Sequence, residues 1–363
     1  MERSLALLAE LVNIDSGTGD AEGLAKVGAV LRRETAALKM NFVKATAKDG
    51  SEHFVAQRGS GPRLLLVAHV DTVFAKGTAA RWGFSAAGDI ARGPGVSDCK
   101  SGVVTILGAL AQLDAAGWPE REIICFFNSD EEISSPGSRE LLTRLAQDAA
   151  AVIVVEPAEG ETLTVARKGI GRFTIKVLGQ AAHSGTNYQD GSNAIVELAH
   201  KILAVQNLTD LAAGVTLNVG VVAGGQRPNI VPDLATVEID LRLVRPGQEE
   251  RVTEGLKRIT LECQVPGTKA KLSGGITRPP LPSNPGTLDL YEKFRVAADR
   301  LGFELGSAES GGGSDANLVA PLGVPVIDGV GPIGGGHHSD QEYLEIPSLY
   351  RRIDLLAEFL KDF

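Results

Sequence analysis

The sequence is poor in cysteine and contains no long apolar run. Its three cysteines are odd in number and lack the Cys-x-x-Cys spacing of a redox or zinc-binding motif. We interpret them as reduced thiols, because nothing in their spacing indicates a disulfide framework. No apolar run approaches the roughly 18 residues of a membrane span, and the amino terminus has no signal-peptide pattern. These absences predict a cytoplasmic protein without a membrane partner.

Basic residues are in the minority as well. The 36 lysines and arginines are outnumbered by 45 aspartates and glutamates, so the formal net charge is −9. This acidic balance argues against nucleic acid as a partner. The chain does have ample length and core-forming residues. Its 363 residues, 43% of them hydrophobic, predict a globular protein of two domains.

Three short apolar runs predict buried β-strands, and each run is followed by residues that can bind a metal ion. These are residues 63–68 before His69, residues 123–127 before Asp130, Glu131 and Glu132, and residues 151–155 before Glu156. Helical segments separate the strands, so the pattern indicates an α/β fold with a mostly parallel sheet. Ligands of such sheets bind beyond the carboxyl ends of the strands. We therefore expect these polar side chains to share one sheet edge.

The middle of the chain has a different pattern. Strand-like alternation and amphipathic helices follow the order β-α-β-β-α-β, which is that of a ferredoxin-like α+β unit. We place this inserted domain at residues 168–277. The α/β domain then comprises residues 1–167 and 278–363.

The acidic cluster Asp130–Glu132 is the strongest chemical signal. Three adjacent carboxylates at the mouth of a buried strand repel one another and resist desolvation, so a partner should neutralise them. A metal ion, with one carboxylate left free as a general base, would satisfy this requirement. Each residue also has an ordinary interpretation, as a surface acid or as a hydrogen-bonded histidine at a strand end. Their coincidence at one sheet edge favours the metal site.

Six motifs occur in an order and spacing that resemble a known family of enzymes. They are H-x-D-T-V at 69–73, G-P-G-x-x-D at 93–98, S-D-E-E at 129–132, E-P at 156–157, G-G-G-S-D at 311–315 and H-S-D at 338–340. Together they resemble the zinc peptidase family of aminoacylases, dipeptidases and carboxypeptidase G. Residues 11–23 and 137–141 resemble its glutamate carboxypeptidase branch.

The resemblance implies a site with two zinc ions per subunit. Asp98 would bridge them. His69 and Glu156 would complete the coordination of one ion, and Glu132 and His338 would complete that of the other. Glu131 would be the general base, and Asp71 would orient the imidazole of His69. The implied reaction is hydrolysis of the amide bond to a C-terminal amino acid, with glutamate as the expected residue.

The inserted domain resembles the lid and dimerisation domain of that family, which implies a homodimer. His183 matches a histidine that reaches the partner subunit's site and stabilises the oxyanion. Asn229 matches a substrate-contacting asparagine, and Arg278 matches an arginine that binds the substrate's terminal carboxylate. The implied substrate is a small peptide or an N-acyl amino acid. Two alternatives stay open: an aminoacylase or dipeptidase of the same chemistry, and a metal-dependent binding protein without turnover.

Three positions are ambiguous. Cys99 stands where many relatives have a second acid, and we expect it to pack rather than bind metal. The H-S-D motif selects His338 over the adjacent His337. Thr162 stands where the glutamate-specific branch has a lysine, although Arg167 and Lys168 are close in sequence.

Overall fold

The computed structural model describes residues 2–363, which form two compact units. One unit contains the residues up to Ala166 together with Ser283–Ser310 and Ser314–Phe363. The other contains Arg167–Pro282 and Gly311–Gly313. The second unit thus ends at Pro282 rather than at the expected residue 277, and it includes a short glycine-rich segment that the sequence did not assign to it.

The strands and helices are numbered in chain order. The strands are β1 Asn41–Thr46, β2 Glu52–Arg58, β3 Arg63–His69, β4 Ser85–Ala87, β5 Ile90–Arg92, β6 Glu122–Asn128, β7 Ala149–Val154, β8 Thr162–Arg167, β9 Gly169–Leu178, β10 Thr216–Gly224, β11 Leu234–Leu243, β12 Lys269–Arg278, β13 Gly306–Ser310, β14 Val326–Ile327, β15 Gly334–Gly335 and β16 Tyr343–Glu345. The helices are α1 Glu2–Val12, α2 Ala21–Ala37, α3 Thr78–Arg81, α4 Lys100–Ala116, α5 Arg139–Ala146, α6 Ala194–Gln206, α7 Gln248–Leu261, α8 Pro285–Leu301, α9 Ala316–Val319 and α10 Ile346–Asp362.

A six-stranded sheet forms the centre of the first unit. Its order is β1-β2-β6-β3-β7-β14. The four strands from β6 to β14 are parallel, whereas β2 is antiparallel to both of its neighbours, β1 and β6. Leu64–Ala68 of β3 are at most 1% exposed, because neighbouring strands flank β3 and other elements cover both faces of the sheet. The predicted mostly parallel α/β fold is therefore confirmed, and the three predicted apolar strands are β3, β6 and β7.

The shortest strands do not stand out in the sequence. Strand β14 has only two residues, Val326–Ile327. A small sheet of β15, β16, β5 and β4 was not predicted. Its strands have two or three residues each, which is too short for a period-2 pattern to show.

The second unit has the predicted β-α-β-β-α-β order, with β9, α6, β10, β11, α7 and β12. All adjacent strands of its sheet, in the order β10-β11-β9-β12, are antiparallel, as in a ferredoxin-like unit. Alternate residues of β9, including Phe173, Ile175 and Val177, are buried in the unit's own core. Among residues 2–363, no helix has the length and apolar character needed to cross a membrane.

Candidate metal centre

The candidate site lies at the carboxyl ends of the parallel strands. His69 ends β3, Glu156 follows β7, and Glu131 and Glu132 lie in a 3-10 turn, Glu131–Ile133, that follows β6. Two loops add Asp98, just before α4, and His338, before β16. The structure therefore brings together residues from five separate segments of the first unit, as the strand pattern predicted for three of them.

Asp98 stands at the centre of this cluster. Its Oδ1 lies 2.9 Å from Nε2 of His69, and its Oδ2 lies 3.3 Å from Nε2 of His338. Nε2 of His69 is also 3.8 Å from Oε2 of Glu156, and Nε2 of His338 is 3.1 Å from Oε2 of Glu132. The two carboxylate oxygens of Asp98 thus face two different histidines, each of which faces a further glutamate. This is the arrangement that a carboxylate bridging two cations requires.

The donor atoms are close enough to hold a metal ion. One ligand atom from each of His69, Asp98 and Glu132 lies within 4.8 Å of the other two, and the same is true of His69, Cys99 and Glu156. Imidazole and carboxylate donors are ligands that zinc prefers in hydrolytic enzymes. The chemistry of the donor set therefore fits a dinuclear zinc site.

Burial and neighbouring charges shift the pKa values of several side chains in the cluster. Burial alone would raise the pKa of Asp98, but hydrogen bonds from His338 and His69 hold it well below its usual value. Hydrogen bonds to Asp98 and Glu132 raise the pKa of His338 to about 10. Burial raises the pKa of Glu156 well above its usual value, although the imidazolium of His69 opposes this effect. The two imidazoles thus stabilise the charged form of Asp98, a role that a divalent cation can take over.

Asp71 does more than the sequence predicted. Its Oδ1 lies 3.3 Å from Nδ1 of His69, which also lies 3.0 Å from the Asp71 backbone oxygen. The fully buried Asp71 carboxylate also accepts hydrogen bonds from the backbone N–H groups of Glu131 and Glu132, at 3.2 and 3.3 Å, and from the hydroxyl of Thr18 at 2.6 Å. Asp71 therefore connects the His69 side of the site to the turn that carries the proposed base.

Asp71→Asn should lower metal affinity or kcat by about 10- to 100-fold, a typical cost of losing a group that orients metal ligands. The amide has one accepting oxygen, and its NH2 group would face backbone N–H donors. Zinc affinity and kcat measured together check this expectation. Thr18→Val is the matched control, because it removes one donor to the same carboxylate and should cost much less. Equal losses in the two variants would contradict the assigned role of Asp71.

Glu342 is a site residue that the sequence analysis missed. Its fully buried carboxylate accepts hydrogen bonds from the backbone N–H groups of Gly95, Ser97 and Asp98, at 2.9, 2.9 and 3.0 Å. Burial raises the pKa of Glu342 to about 7, although these three hydrogen bonds lower it. Glu342 fixes the backbone of the loop that carries Asp98. In sequence it is one acid near the end of the chain, with no pattern to single it out.

The two ambiguous neighbours have different surroundings. The buried Sγ of Cys99 donates a hydrogen bond to the backbone oxygen of Val155 at 3.1 Å. Its packing role stays a prediction, since Sγ also lies near the donor atoms of His69 and Glu156. His337 is exposed, and its Nε2 lies 3.1 Å from the hydroxyl of Ser97.

The three expected substrate-binding residues lie in the second unit. His183 and Asn229 are neighbours in exposed loops, where the N–H of Ser184 donates to the backbone oxygen of Asn229 at 3.1 Å. Arg278 ends β12, is 2% exposed and pairs with Ile170 near the start of β9. The second unit thus brings His183 and Asn229 together but places Arg278 elsewhere.

Comparisons with known proteins identify relatives in sequence and in fold. Residues 65–362 match the model of peptidase family M20/M25/M40. Carboxypeptidase G2 of Pseudomonas sp. (strain RS-16) is 34% identical over 365 residues, which cover 98% of this chain and 88% of that protein. A tripeptidase from Staphylococcus aureus is 25% identical, with a TM-score of 0.84 over 99% of this chain and 98% of its own. A structure described as a dinuclear metal binding peptidase, from Bacillus subtilis, shares the fold at 18% identity, with a TM-score of 0.72 over 99% of this chain and 97% of its own.

Proposed function

Because the chain belongs to peptidase family M20/M25/M40, we propose that it is a dinuclear zinc carboxypeptidase. The proposed reaction is hydrolysis of the amide bond to a C-terminal amino acid, with glutamate expected, in a small peptide or an N-acyl amino acid. The observation that carries this proposal is the position of Asp98, whose two oxygens face His69 at 2.9 Å and His338 at 3.3 Å. The similarity to carboxypeptidase G2 supports the substrate class.

In this proposal Asp98 would be shared by two zinc ions. His69 and Glu156 would hold one ion, and Glu132 and His338 would hold the other. Zinc in such a site polarises a carbonyl group and lowers the pKa of a bound water to about 7. The nearby pairs of His69 with Glu156 and of His338 with Glu132 support this division of the ligands.

Glu131 is the proposed general base. It takes a proton from the attacking water and returns that proton to the nitrogen of the leaving amine. Its neighbour Glu132 lies beside His338. Adjacent residues of a turn can direct their side chains differently, so one can bind metal while the other serves as the base. The hydrogen bonds from both backbone N–H groups to Asp71 fix this turn beside His69.

The loop of His183 suits an oxyanion donor. Its Nδ1 accepts hydrogen bonds from the backbone N–H groups of Gly185 and Thr186, at 3.1 and 3.2 Å. A neutral ring in which Nδ1 accepts must carry its proton on Nε2. Nε2 is then a donor that can stabilise the negative charge of a tetrahedral intermediate.

The position of His183 also supports a homodimer. His183 follows the carboxyl end of β9, whereas Arg278 pairs with Ile170 near its start. The eight steps from Ile170 to Leu178 span about 26 Å at about 3.3 Å per residue. A small substrate can contact both His183 and Arg278 more readily when His183 comes from a partner subunit.

Arg278→Lys should lower kcat/KM for substrates with a free α-carboxylate by about 10- to 100-fold, because lysine lacks the bidentate fork of arginine. Amidated versions of the same substrates should lose little. The measurement is kcat/KM of the wild-type enzyme and of the variant on both substrates, with the amidated substrate as the control. An equal loss on free and amidated substrates would reject the proposed clamp and indicate a structural role for this buried arginine.

One observation favours a second candidate, an aminoacylase or dipeptidase with another amino-acid preference. The hydroxyl of Thr162 donates to the backbone oxygen of Glu159 at 2.7 Å, at the position where the resemblance leads us to expect a lysine. A panel of acyl-glutamates, folates and dipeptides separates the candidates by kcat/KM. A cytoplasmic location is part of the proposal, because the three cysteines are all free thiols.

A further inference from the structure

The segment that carries the proposed base has an unusual backbone. It runs from Asn128, the last residue of β6, to Ser138, just before α5, and we call residues 128–138 the base segment. Ser134 and Ser135 have φ values of 72° and 55°, in the left-handed region that residues other than glycine rarely adopt. Strained residues of this kind persist where the surrounding structure holds them in place.

One carboxylate from a distant part of the chain holds the base segment at two points. The side-chain amide of Asn128 donates to Oδ2 of Asp315 at 2.7 Å, and the hydroxyl of Ser135 donates to Oδ1 at 2.5 Å. Asn128 and Ser135 are fully buried, and Asp315 is 1% exposed. Asp315 is 180 residues away from Ser135 in sequence. Its carboxylate therefore ties together the residues on either side of the turn with Glu131 and Glu132.

Two other carboxylates hold different parts of the same segment. Asp71 accepts hydrogen bonds from the backbone N–H groups of Glu131 and Glu132. Asp130 accepts hydrogen bonds from those of Gly137 and Ser138, at 2.7 and 3.1 Å. The left-handed part, Ser134 and Ser135, is held through the side chain of Ser135, which donates its hydrogen bond to Asp315.

We propose that Asp315 and Ser135 are positioning residues, which fix the location of Glu131 and Glu132 by holding the left-handed turn that follows them. This inference rests on the proposed function, since it assumes that Glu131 is the base and Glu132 a ligand. Neither residue touches the reacting atoms. They act by limiting the conformations of the base segment, because displacements of about 1 Å at a catalytic group can cost about 100-fold in rate.

The two adjacent serines provide a matched pair of variants. Glycine tolerates positive φ, so Ser134→Gly and Ser135→Gly both relieve the backbone strain. Only Ser135→Gly removes the hydroxyl that donates to Asp315. At saturating zinc, Ser135→Gly should lower kcat by about 10- to 100-fold, with KM changed by less than about 3-fold. Ser134→Gly should keep kcat within about 3-fold of the wild type.

A third variant tests whether the effect passes through Asp315. Asp315→Ala should lower kcat at least as much as Ser135→Gly, and the double variant should be no slower than Asp315→Ala, because both changes remove the same contact. Circular dichroism gives the folded fraction by which each kcat is corrected. If Asp315→Ala does not fold, the two glycine variants still decide the question.

Equal kcat values for Ser134→Gly and Ser135→Gly would overturn the positioning role. That failure is distinguishable from failure of the proposed function. Full turnover in Glu131→Gln would reject the base itself. An inactive Glu131→Gln together with equal glycine variants would reject only the role of Ser135 and Asp315.

Discussion

Replacing Glu131 by glutamine should lower kcat by about 100- to 10,000-fold, the range typical of a lost general acid or base. Glutamine keeps the size of the side chain but cannot accept a proton from water. The neighbouring ligands stay in place, because the backbone N–H of residue 131 can still donate to Asp71. The variant should therefore keep its metal ions. Turnover and bound zinc measured on the same preparation check both parts.

Glu132→Gln is the matched control for this variant. The two glutamates are adjacent, and both have backbone N–H groups bonded to Asp71. Glu132, however, lies 3.1 Å from His338 and is a proposed ligand. Its substitution should weaken zinc binding, and added zinc should recover part of the activity. If added zinc restored the activity of Glu131→Gln, Glu131 would be a ligand rather than the base.

Replacing Asp98 by alanine should have an equal or larger effect on turnover, because it removes a ligand from both proposed ions at once. Its two oxygens lie at 2.9 and 3.3 Å from the two histidines of the site. Without this bridge, each proposed ion keeps only two of its ligands from the chain. These are His69 and Glu156 for one ion, and His338 and Glu132 for the other. We expect kcat to fall by at least about 10,000-fold, as when a catalytic unit is disabled, and zinc binding to be lost.

Asp340→Ala is the control for the loss of a nearby negative charge. Asp340 is exposed, belongs to the same H-S-D motif as His338, and accepts a hydrogen bond from the side chain of Gln341. Its substitution should leave turnover within about 3-fold of the wild type, as for most surface changes. An Asp98→Ala enzyme that retains two zinc ions and turnover would refute the bridge.

The sequence predicted the parts of the fold that depend on continuous apolar runs. Residues 64–68 are buried by neighbours on every side, and all of them are apolar. Such a short continuous apolar run predicts a buried strand. Because parallel strands end at one sheet edge, the positions of His69, the acidic cluster and Glu156 followed from the same pattern. Within the acidic cluster, Asp130 accepts hydrogen bonds from the backbone N–H groups of Gly137 and Ser138.

The supporting carboxylates could not be predicted in the same way. Glu342 binds backbone groups more than 240 residues earlier in the chain. Asp315 binds Asn128 and Ser135, which are 187 and 180 residues earlier. A buried acid that accepts such hydrogen bonds looks in sequence like any surface acid. Its partners are set by tertiary structure, which no local pattern encodes. The left-handed turn at Ser134 and Ser135 was also missed, because neither residue is glycine or asparagine.

In the proposed function, two metal ions that share Asp98 as a ligand support catalysis by Glu131. The most direct test is to remove all metal with a chelator and then titrate the apoprotein with zinc while recording bound zinc and turnover together. We predict no turnover without metal and a plateau at two zinc ions per chain. Full turnover with one ion or with none would refute a two-ion site.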